Sequence, residues 1–339
     1  MALGSHLDTV PHGGAFDGAL GVLAGLEAAQ TLIEAGERLR HALAVIAFAD
    51  EEGNEFGIGV LSAQLWIGEL DPAAIVDRRG RSLADALAAF DVPGVPVVPR
   101  PDIAAYLEAH VEQGPVLDGD GGVAAAVEGI VGISRTTVRF RGAANHAGTT
   151  PMHLRRDALW GAAELALAVR DLARASDGRA VATVGVFEVR PGATNVVPGA
   201  ATMRIELRSP DEARLAALRA EVERLAEAAS ARHGLALTLD PWHLSAPVAM
   251  DPLVLRATQD ALADAGLPRF TMPSWAGHDA KVLAGHVPVG MLFVPSVGGV
   301  SHAPDEHTRP EDCTHAAALL LHAARRVDAA LDARGGEAA

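Results

Sequence analysis

Two short stretches near the start, Gly4-Ser5-His6-Leu7-Asp8 and Phe16-Asp17-Gly18, decide how the rest of the sequence is interpreted. They place one histidine and two carboxylates ahead of an apolar segment with helical spacing. A third polar group, Asp50-Glu51-Glu52, follows an apolar run of strand length at 42–49. Polar residues that follow buried strands collect at one edge of an α/β sheet. We therefore expect these three groups to lie close together.

The composition indicates a globular chain of more than one domain. Its 339 residues are enough for two domains and a sizeable core, and 49% of them are apolar. The net charge of −15 argues against nucleic acid or an anionic membrane as the main partner, because both require a basic face. No apolar run is long enough to span a membrane. The single cysteine, Cys313, excludes an intrachain disulfide, so we expect a cytoplasmic location.

The segment that follows Asp17 predicts a helix over residues 18–35. Asp17 stands where it would cap that helix, and Gly36 stands where a helix often ends. The apolar positions that follow helical spacing are Leu20, Leu23, Leu26, Ala29 and Ile33. The spacing predicts that this set forms the buried face of the helix.

Two further patterns define the domain organisation. Between about 134 and 244 the order of predicted elements is β-α-β-β-α-β, which is typical of a small ferredoxin-like α+β domain. Residues 1–133 and 245–339 predict an α/β domain with a mostly parallel, mixed sheet flanked by helices. The sequence therefore predicts a larger domain interrupted by a smaller one.

Five residues at predicted strand ends or adjoining loops have the chemistry of metal ligands. They are His6, Asp17, Glu52, His110 and His302. A set of imidazoles and carboxylates without thiolate suits Zn, Mn, Co or Ni. If two ions lie about 3.5–4 Å apart, a carboxylate must bridge them, and Asp17 is placed to do so.

Two neighbouring acids would support these ligands. Asp8 is placed to accept the second ring N–H of His6 and to fix its tautomer. Of the adjacent pair Glu51 and Glu52, one can bind metal while the other acts as general base. Simpler alternatives remain open at this stage: Asp17 as a helix cap only, Glu51-Glu52 as an exposed acidic turn, and His110 as a core histidine.

A set of seven motifs, matched in order along the whole chain, resembles one known family. The chain is similar to the amidase, hydantoinase/carbamoylase branch of the dinuclear-metal aminoacylase and carboxypeptidase family. His110-x-x-Gln113 and the 145–152 run are specific to this branch. The matching motifs occupy residues 4–10, 14–18, 50–53, 110–117, 145–152, 277–280 and 301–304.

The resemblance implies a role for each matching residue at a site with two divalent ions per subunit. His6, Asp17 and His110 would hold one ion, and Asp17, Glu52 and His302 the other, with Glu51 as the base. His146 would stabilise the oxyanion. Family members donate this histidine from the lid domain of a second subunit, which implies a homodimer whose lid and dimerisation domain is the inserted 134–244 segment.

The resemblance also implies the surroundings of the substrate. Arg208, Asn195 and Gln113 would bind its carboxylate end, Gly277 would approach it through the backbone, and His278 would support the site from behind. Glu55 departs from the family, whose members commonly carry arginine near this position. Relatives also have several tens of residues before the first motif. We therefore expect the N-terminal part of the metal domain to be missing from this chain.

The expected activity is hydrolysis of the carbamoyl (ureido) C–N bond of an N-carbamoyl-L-amino acid, which gives the amino acid, ammonia and carbon dioxide. The alternatives are an allantoate amidohydrolase or a ureidoglycolate hydrolase, since those substrates also present a ureido group beside a carboxylate. An alternative of another class is a truncated, non-catalytic relative that binds a ligand or partner.

Overall fold

The computed structural model describes residues 1–89 and 103–337. Short 3-10 turns lie at Pro72–Ala74, Met152–Leu154 and Val297–Gly299. The strands are β1 (Ala2–His6), β2 (Ala44–Phe48), β3 (Tyr106–Val111), β4 (Ala125–Ile130), β5 (Gly132–Arg141), β6 (Asn145–His146), β7 (Val181–Arg190), β8 (Val196–Val197), β9 (Ala200–Ser209), β10 (Ala236–Leu239), β11 (His243–Ser245), β12 (Val248–Ala249), β13 (Thr271–Ser274) and β14 (Val289–Val294). The helices are α1 (Ala19–Glu34), α2 (Leu61–Ile67), α3 (Leu83–Ala88), α4 (Val116–Asp120), α5 (Ala158–Arg174), α6 (Glu212–His233), α7 (Pro252–Asp264), α8 (Asp279–Leu283) and α9 (Pro310–Glu337).

The chain forms two compact units. The first unit comprises Met1–Ile130 and Ala249–Ala339, and the second comprises Val131–Val248. The first unit has a mixed sheet in the order β12-β4-β14-β3-β1-β2, with β13 paired to β4. Strands β2, β1, β3 and β14 run parallel to one another, whereas β4 is antiparallel to β14. This confirms the predicted α/β fold with a mostly parallel sheet.

The parallel run brings four polar segments to one edge of the sheet. His6 is the last residue of β1, and His110 is the next-to-last residue of the buried strand β3. Asp50-Glu51-Glu52 follows β2, and the 301–306 loop follows β14. Because carboxyl ends of parallel strands meet at one edge, the four segments converge although they are distant in sequence.

Helix α1 buries a different face from the one that its large apolar residues predicted. Leu23, Leu26 and Ile33 are exposed, by 62%, 51% and 78% of their surface respectively. The buried residues are Leu20, Gly21, Val22, Ala24, Gly25, Ala28 and Leu32. Small side chains let the helix lie directly against the sheet. A Cβ at Gly21 would be 2.0 Å from the Ala109 carbonyl oxygen and 2.7 Å from Ser5 Cβ. The close approach of α1 to the strands, rather than the size of its apolar side chains, therefore decides which face of the helix is buried.

Asp17 does not cap this helix, contrary to one interpretation of the sequence. The N-cap residue of α1 is Gly18, which has φ 66° and provides no side-chain cap. The Asp17 carboxylate points into the edge of the sheet instead, where imidazoles surround it.

The second unit has the ferredoxin-like order that the sequence predicted. Its antiparallel sheet runs β10-β5-β9-β7, with β11 also paired to β5. Helices α5 and α6 pack with the sheet around one core that includes Phe140, Leu165 and Met203. Aspartates Asp157 and Asp211 cap the two helices by accepting backbone N–H bonds. Over the residues that the structure describes, no helix has the length and apolarity needed to cross a membrane.

Replacing Gly21 with alanine tests the close helix–sheet contact. Alanine normally stabilises a helix interior relative to glycine by about 0.5–1 kcal/mol. At Gly21 we expect destabilisation of about 1–3 kcal/mol instead, because the new methyl group meets the Ala109 carbonyl. Urea unfolding of the variant measures the change. Gly119→Ala is the matched control, since Gly119 is also helical but has open space at its Cβ position. Equal effects of the two substitutions would contradict this account.

Candidate active site

Two adjacent parallel strands place the first pair of histidines. His6 and His110 are 2% and 1% exposed, and their Nε2 atoms lie 3.3 Å apart. The Nδ1 atom of His6 is 2.8 Å from the backbone carbonyl of Asp8, and that of His110 is 2.8 Å from the carbonyl of Val111. When Nδ1–H donates to a carbonyl, the neutral ring presents the lone pair of Nε2 to its other side. Both rings therefore offer Nε2 to the same space.

Asp8 supports the site differently from the prediction. The atom that orients His6 is the backbone oxygen of Asp8, since the nearest carboxylate oxygen is 3.9 Å from His6 Nδ1. The carboxylate instead accepts the backbone N–H of Glu51 at 3.1 Å and that of Glu52 at 3.2 Å. Asp8 thus links the end of β1 to the acidic pair that follows β2.

The Asp17 carboxylate is the centre of the cluster. Its Oδ1 lies 3.3 Å from His6 Nε2 and 3.2 Å from His110 Nε2. Its Oδ2 lies 3.2 Å from His302 Nε2 and accepts a hydrogen bond of 2.7 Å from the amide of Gln113. The family resemblance implies that Gln113 binds the substrate, and in this structure its amide contacts Asp17.

Glu52 and His302 form the other side of the cluster. His302 Nε2 lies 3.1 Å from Glu52 Oε1, in addition to its contact with Asp17. His302 and Gln113 both have left-handed backbones, with φ 56° and 60°. Residues other than glycine adopt this conformation at a cost of order 1–3 kcal/mol, and such residues concentrate at functional sites. The fold therefore maintains a strained backbone at two residues that contact Asp17.

The pKa values of the cluster show how strongly its charges interact. Burial opposes the charged imidazolium, but the interaction with Asp17 outweighs it and raises the pKa of His6 to about 10. The contacts of His302 with Asp17 and Glu52 raise its pKa to about 10 as well. Burial would raise the pKa of Asp17, yet its contacts with His110, His302 and His6 hold it far below its usual range. Positive charge is strongly favoured around Asp17.

Glu51 lies beside this cluster, and the pKa of its carboxyl group is raised, whereas that of Asp17 is lowered. Burial raises the pKa of its carboxyl group to about 7, with His6 acting in the opposite direction. The backbone of Gly277 lies next to the Glu51 carboxyl group. A Cβ atom at Gly277 would be 4.0 Å from Glu51 Oε1. A carboxyl group that titrates near neutrality is suited to accept and return a proton.

The residues present fit divalent metal ions. Among the described residues, the ligand atoms of His6, Asp17 and His110 lie within 4.8 Å of one another, as do those of Asp17, Glu52 and His302. Asp17 belongs to both groups. Asp17 Oδ1 and Glu52 Oε1 are buried and make no aligned hydrogen bond. Buried carboxylate oxygens normally have a donor or a cation, so these two atoms have the surroundings of ligands.

His278 lies next to the cluster, in contact with His110. It is buried and packs edge-on against the His110 ring, with ring centroids 4.6 Å apart. Its Nε2 is 2.7 Å from Ser274 Oγ, and burial lowers its pKa well below the usual value. Glu108, also close to His110, has its two oxygens bonded to Ser5 Oγ and to the backbone N–H of Ala280. His278 therefore packs against the His110 ring, while Glu108 ties the neighbouring strand β1 and helix α8 together.

Sequence reasoning missed Glu306. This carboxylate is 5% exposed and accepts the backbone N–H groups of Phe16 and Asp17 at 2.9 and 2.8 Å. Ser301 Oγ is 3.1 Å from its other oxygen and 3.0 Å from Asp17 Oδ2. The available signal was a glutamate four residues after His302 in a polar loop, which spacing alone does not distinguish from a surface acid.

In the second unit, the structure brings His146 and Asn195 together through the pairing of β6 with β8. Ala147 N–H donates to the Asn195 carbonyl at 2.9 Å. His146 is exposed, and its Nδ1 accepts the N–H groups of Gly148 at 3.0 Å and Thr149 at 3.2 Å. A ring whose Nδ1 accepts carries its proton on Nε2, so His146 presents a hydrogen-bond donor.

Arg208 lies on β9 of the same unit and is not free. Its Nε donates to Glu206 Oε1 at 2.7 Å, while Arg135 donates to Glu206 Oε2 at 2.5 Å. The predicted substrate arginine is therefore held by a neighbouring acid. Glu55, the departure from the family pattern, is exposed and 3.6 Å from Arg81.

A parallel sheet whose strand ends surround one aspartate with imidazoles and carboxylates has the donor set of a divalent-metal site, at the edge where α/β proteins bind their ligands. Comparison with known proteins identifies the family. Residues 2–326 match peptidase family M20/M25/M40. A solved amidase of the hydantoinase/carbamoylase family from Burkholderia multivorans superposes with a TM-score of 0.90 at 35% identity, covering 95% of this chain and 79% of that one.

Two curated relatives match this chain over most of its length. The N-carbamoyl-L-amino acid amidohydrolase of Geobacillus stearothermophilus is 40% identical over 329 residues, which cover 95% of this chain and 80% of the relative. The allantoate amidohydrolase of Escherichia coli (strain K12) is 36% identical over 328 residues, covering 94% and 80%. The chain belongs to peptidase family M20/M25/M40, in agreement with the resemblance in its motifs, and it is a hydrolase.

Metal binding is expected to release protons. The pKa values of about 10 for His6 and His302 mean that both rings carry protons at pH 7 in the metal-free protein, and a metal ligand must give its proton up. Calorimetric titration with Zn²⁺ in buffers of different ionisation enthalpy should show release of about two protons per chain. Affinity should rise with pH between 6 and 8. A titration without proton release would contradict this electrostatic picture.

Glu51→Gln tests the raised pKa of Glu51. The unfolded carboxyl ionises near 4.5, whereas the folded one keeps its proton to about 7. Ionised Glu51 therefore destabilises the metal-free fold above pH 7, and this penalty disappears as the pH falls to about 4.5. The variant should be more stable than the wild type at pH 8, by on the order of 2 kcal/mol, and similar at pH 5. Thermal unfolding with a chelator measures this, with exposed Glu55→Gln as the control.

Proposed function

We propose that this protein hydrolyses the carbamoyl C–N bond of N-carbamoyl-L-amino acids, releasing the amino acid, ammonia and carbon dioxide. The observation that carries the proposal is the cluster around Asp17, together with relatives at 40% and 36% identity that are named for ureido substrates. Allantoate is the alternative substrate, followed by ureidoglycolate. All three present a ureido group beside a carboxylate.

In this proposal His6, Asp17 and His110 would hold one divalent ion, and Asp17, Glu52 and His302 would hold a second. Bound there, the ions would polarise the substrate carbonyl and make a water acidic near neutral pH. Zn, Mn, Co and Ni all suit these ligands. The backbone bonds that orient His6 and His110 keep their Nε2 atoms directed at the site.

Glu51 acts as the general base and then as the acid. Its pKa of about 7 allows the carboxylate to take a proton from the attacking water as the water oxygen bonds to the ureido carbon. The same proton then passes to the leaving nitrogen as the C–N bond breaks, and the carbamic acid that remains decomposes to carbon dioxide and the second amine. Hydrogen bonds from Glu51 N–H and Glu52 N–H to Asp8 hold the acidic pair in place during both transfers.

His146 stabilises the negative oxygen that forms during attack. Its Nδ1 accepts two backbone N–H bonds, so its Nε2–H is available as a donor. A preorganised donor of this kind contributes about 10²–10³ in rate. We propose that His146 acts in a homodimer, where each subunit supplies this donor to the other.

The remaining predicted residues bind the carboxylate end of the substrate. Arg208 offers a guanidinium of fixed orientation, since Glu206 holds its Nε. Asn195 and Gln113 add amide groups, and Gly277 leaves room beside Glu51 because it lacks a side chain. Carboxylate recognition separates the ureido acids from neutral amides.

A substrate panel tests the reaction. Ammonia release should be found with N-carbamoyl-L-amino acids, and at lower kcat/KM with allantoate, after addition of Mn²⁺, Co²⁺ or Zn²⁺. Glu51→Gln should lower kcat by at least about 10²-fold while metal content is unchanged, because the base is lost and the ligands are kept. If the enzyme hydrolyses ordinary dipeptides and none of the ureido compounds, the proposed ureido substrate class is wrong.

Mixing two inactive variants tests the role of His146 across subunits. Glu51→Gln and His146→Ala should each be inactive, and His146→Ala should retain its metal. If the donor comes from the partner, co-expressed variants form mixed dimers with one intact site, which gives roughly a quarter of wild-type activity. Mixtures that remain inactive would place His146 in its own subunit's site. Loss of metal in His146→Ala would show that it is a ligand.

A further inference from the structure

The Glu306 carboxylate connects the two loops that meet at the centre of the site. One loop carries Asp17, and Glu306 Oε1 accepts its N–H at 2.8 Å and that of Phe16 at 2.9 Å. The other loop carries His302, and Glu306 belongs to it, with its own N–H bonded to the Ala303 carbonyl at 3.0 Å. One side chain therefore spans the gap between the two loops.

Ser301 closes the connection on the other side. Its hydroxyl lies 3.1 Å from Glu306 Oε2 and 3.0 Å from Asp17 Oδ2. The two loops are thus joined both through the Asp17 backbone and through the Asp17 carboxylate. Ser301 directly precedes His302, so the same short loop segment carries both this hydroxyl and the ring that contacts Asp17 and Glu52.

Glu306 is buried and packs closely against Gly14 of the Asp17 loop. A Cβ at Gly14 would be 2.3 Å from Glu306 Cβ and 2.7 Å from Glu306 Oε1. The side chain therefore lies directly against the backbone of the Asp17 loop. A buried carboxylate with two backbone donors and a hydroxyl has the hydrogen bonds that burial of its charge requires.

We propose that Glu306 is a positioning residue that sets the placement of Asp17 relative to His302, and so determines how tightly the site binds a divalent metal ion. This inference rests on the proposed function. Residues that orient metal ligands typically change affinity by 10–100-fold when they are replaced. Glu306 contacts no ligand atom of the site directly and acts through Asp17 and Ser301.

Zinc affinity of the whole chain, measured by competition with a chromophoric chelator after removal of metal, tests the proposal. Glu306→Ala should weaken Zn²⁺ binding at least 10-fold. Glu306→Gln should weaken it less, since its amide oxygen can still accept from Phe16 and Asp17. Ser301→Ala keeps the backbone bonds and should have an intermediate effect. Asp305→Asn removes the same charge from the neighbouring exposed residue and should leave affinity unchanged.

Thermal unfolding of the metal-free proteins separates positioning from general stability. A purely structural Glu306 would lower Tm in the variants while their Zn²⁺ affinity at 10 °C stayed at the wild-type value, and that result would overturn the inference. If Glu306→Ala does not fold, Glu306→Gln and Ser301→Ala decide the matter by the same comparison. A wild-type chain that binds no Zn²⁺ would refute the proposed function itself, whereas normal binding by every variant would refute only the role of Glu306.

Discussion

The arrangement of the site depends on one buried carboxylate and the positive charge that it requires. Asp17 is 2% exposed, and its two oxygens are surrounded by the rings of His6, His110 and His302. A carboxylate buried without compensation would be strongly destabilising. His6 and His302 therefore hold protons in the metal-free state, and metal ions would take over that charge. The electrostatic demand of Asp17 thus explains both the raised pKa values and the fit to metal.

Around Asp17, the fold relies on backbone contacts more than on side-chain pairs. Carbonyls of Asp8 and Val111 orient the two buried rings, and the Asp8 carboxylate binds the N–H groups of the acidic pair. Glu306 binds the N–H groups of the Asp17 loop in the same way. Because backbone groups have fewer ways to move than long side chains, these bonds fix the ligand geometry at low entropic cost.

Much of the fold, and the proximity of the candidate ligands, could be predicted from the sequence, because both follow from strand order. Buried apolar runs with polar residues at their ends place His6, Glu52 and His110 at one edge, whatever the side-chain details. The buried face of α1 could not be predicted this way, because helical spacing points to the large apolar residues, whereas Gly21 and Gly25 face the sheet. Asp8 and Glu306 were misjudged or missed because their partners are backbone N–H groups, which leave no pattern in side-chain spacing. The metal identity, the dimer and the cytoplasmic location stay predictions.

The sequence distance spanned by the Glu306 bonds has a consequence for synthesis of the chain. Glu306 lies 290 and 289 residues after its two backbone donors. On a ribosome the Asp17 loop emerges long before the residue that fastens it, so the nascent chain presents histidines and carboxylates that are not yet held in a binding geometry. Under the role proposed for Glu306, an ion bound before residue 306 is made and packed would be held about 10-fold more weakly than in the finished chain. Tight retention of the ion would therefore report that the first unit has closed, and a chain stalled earlier would lose the ion more readily.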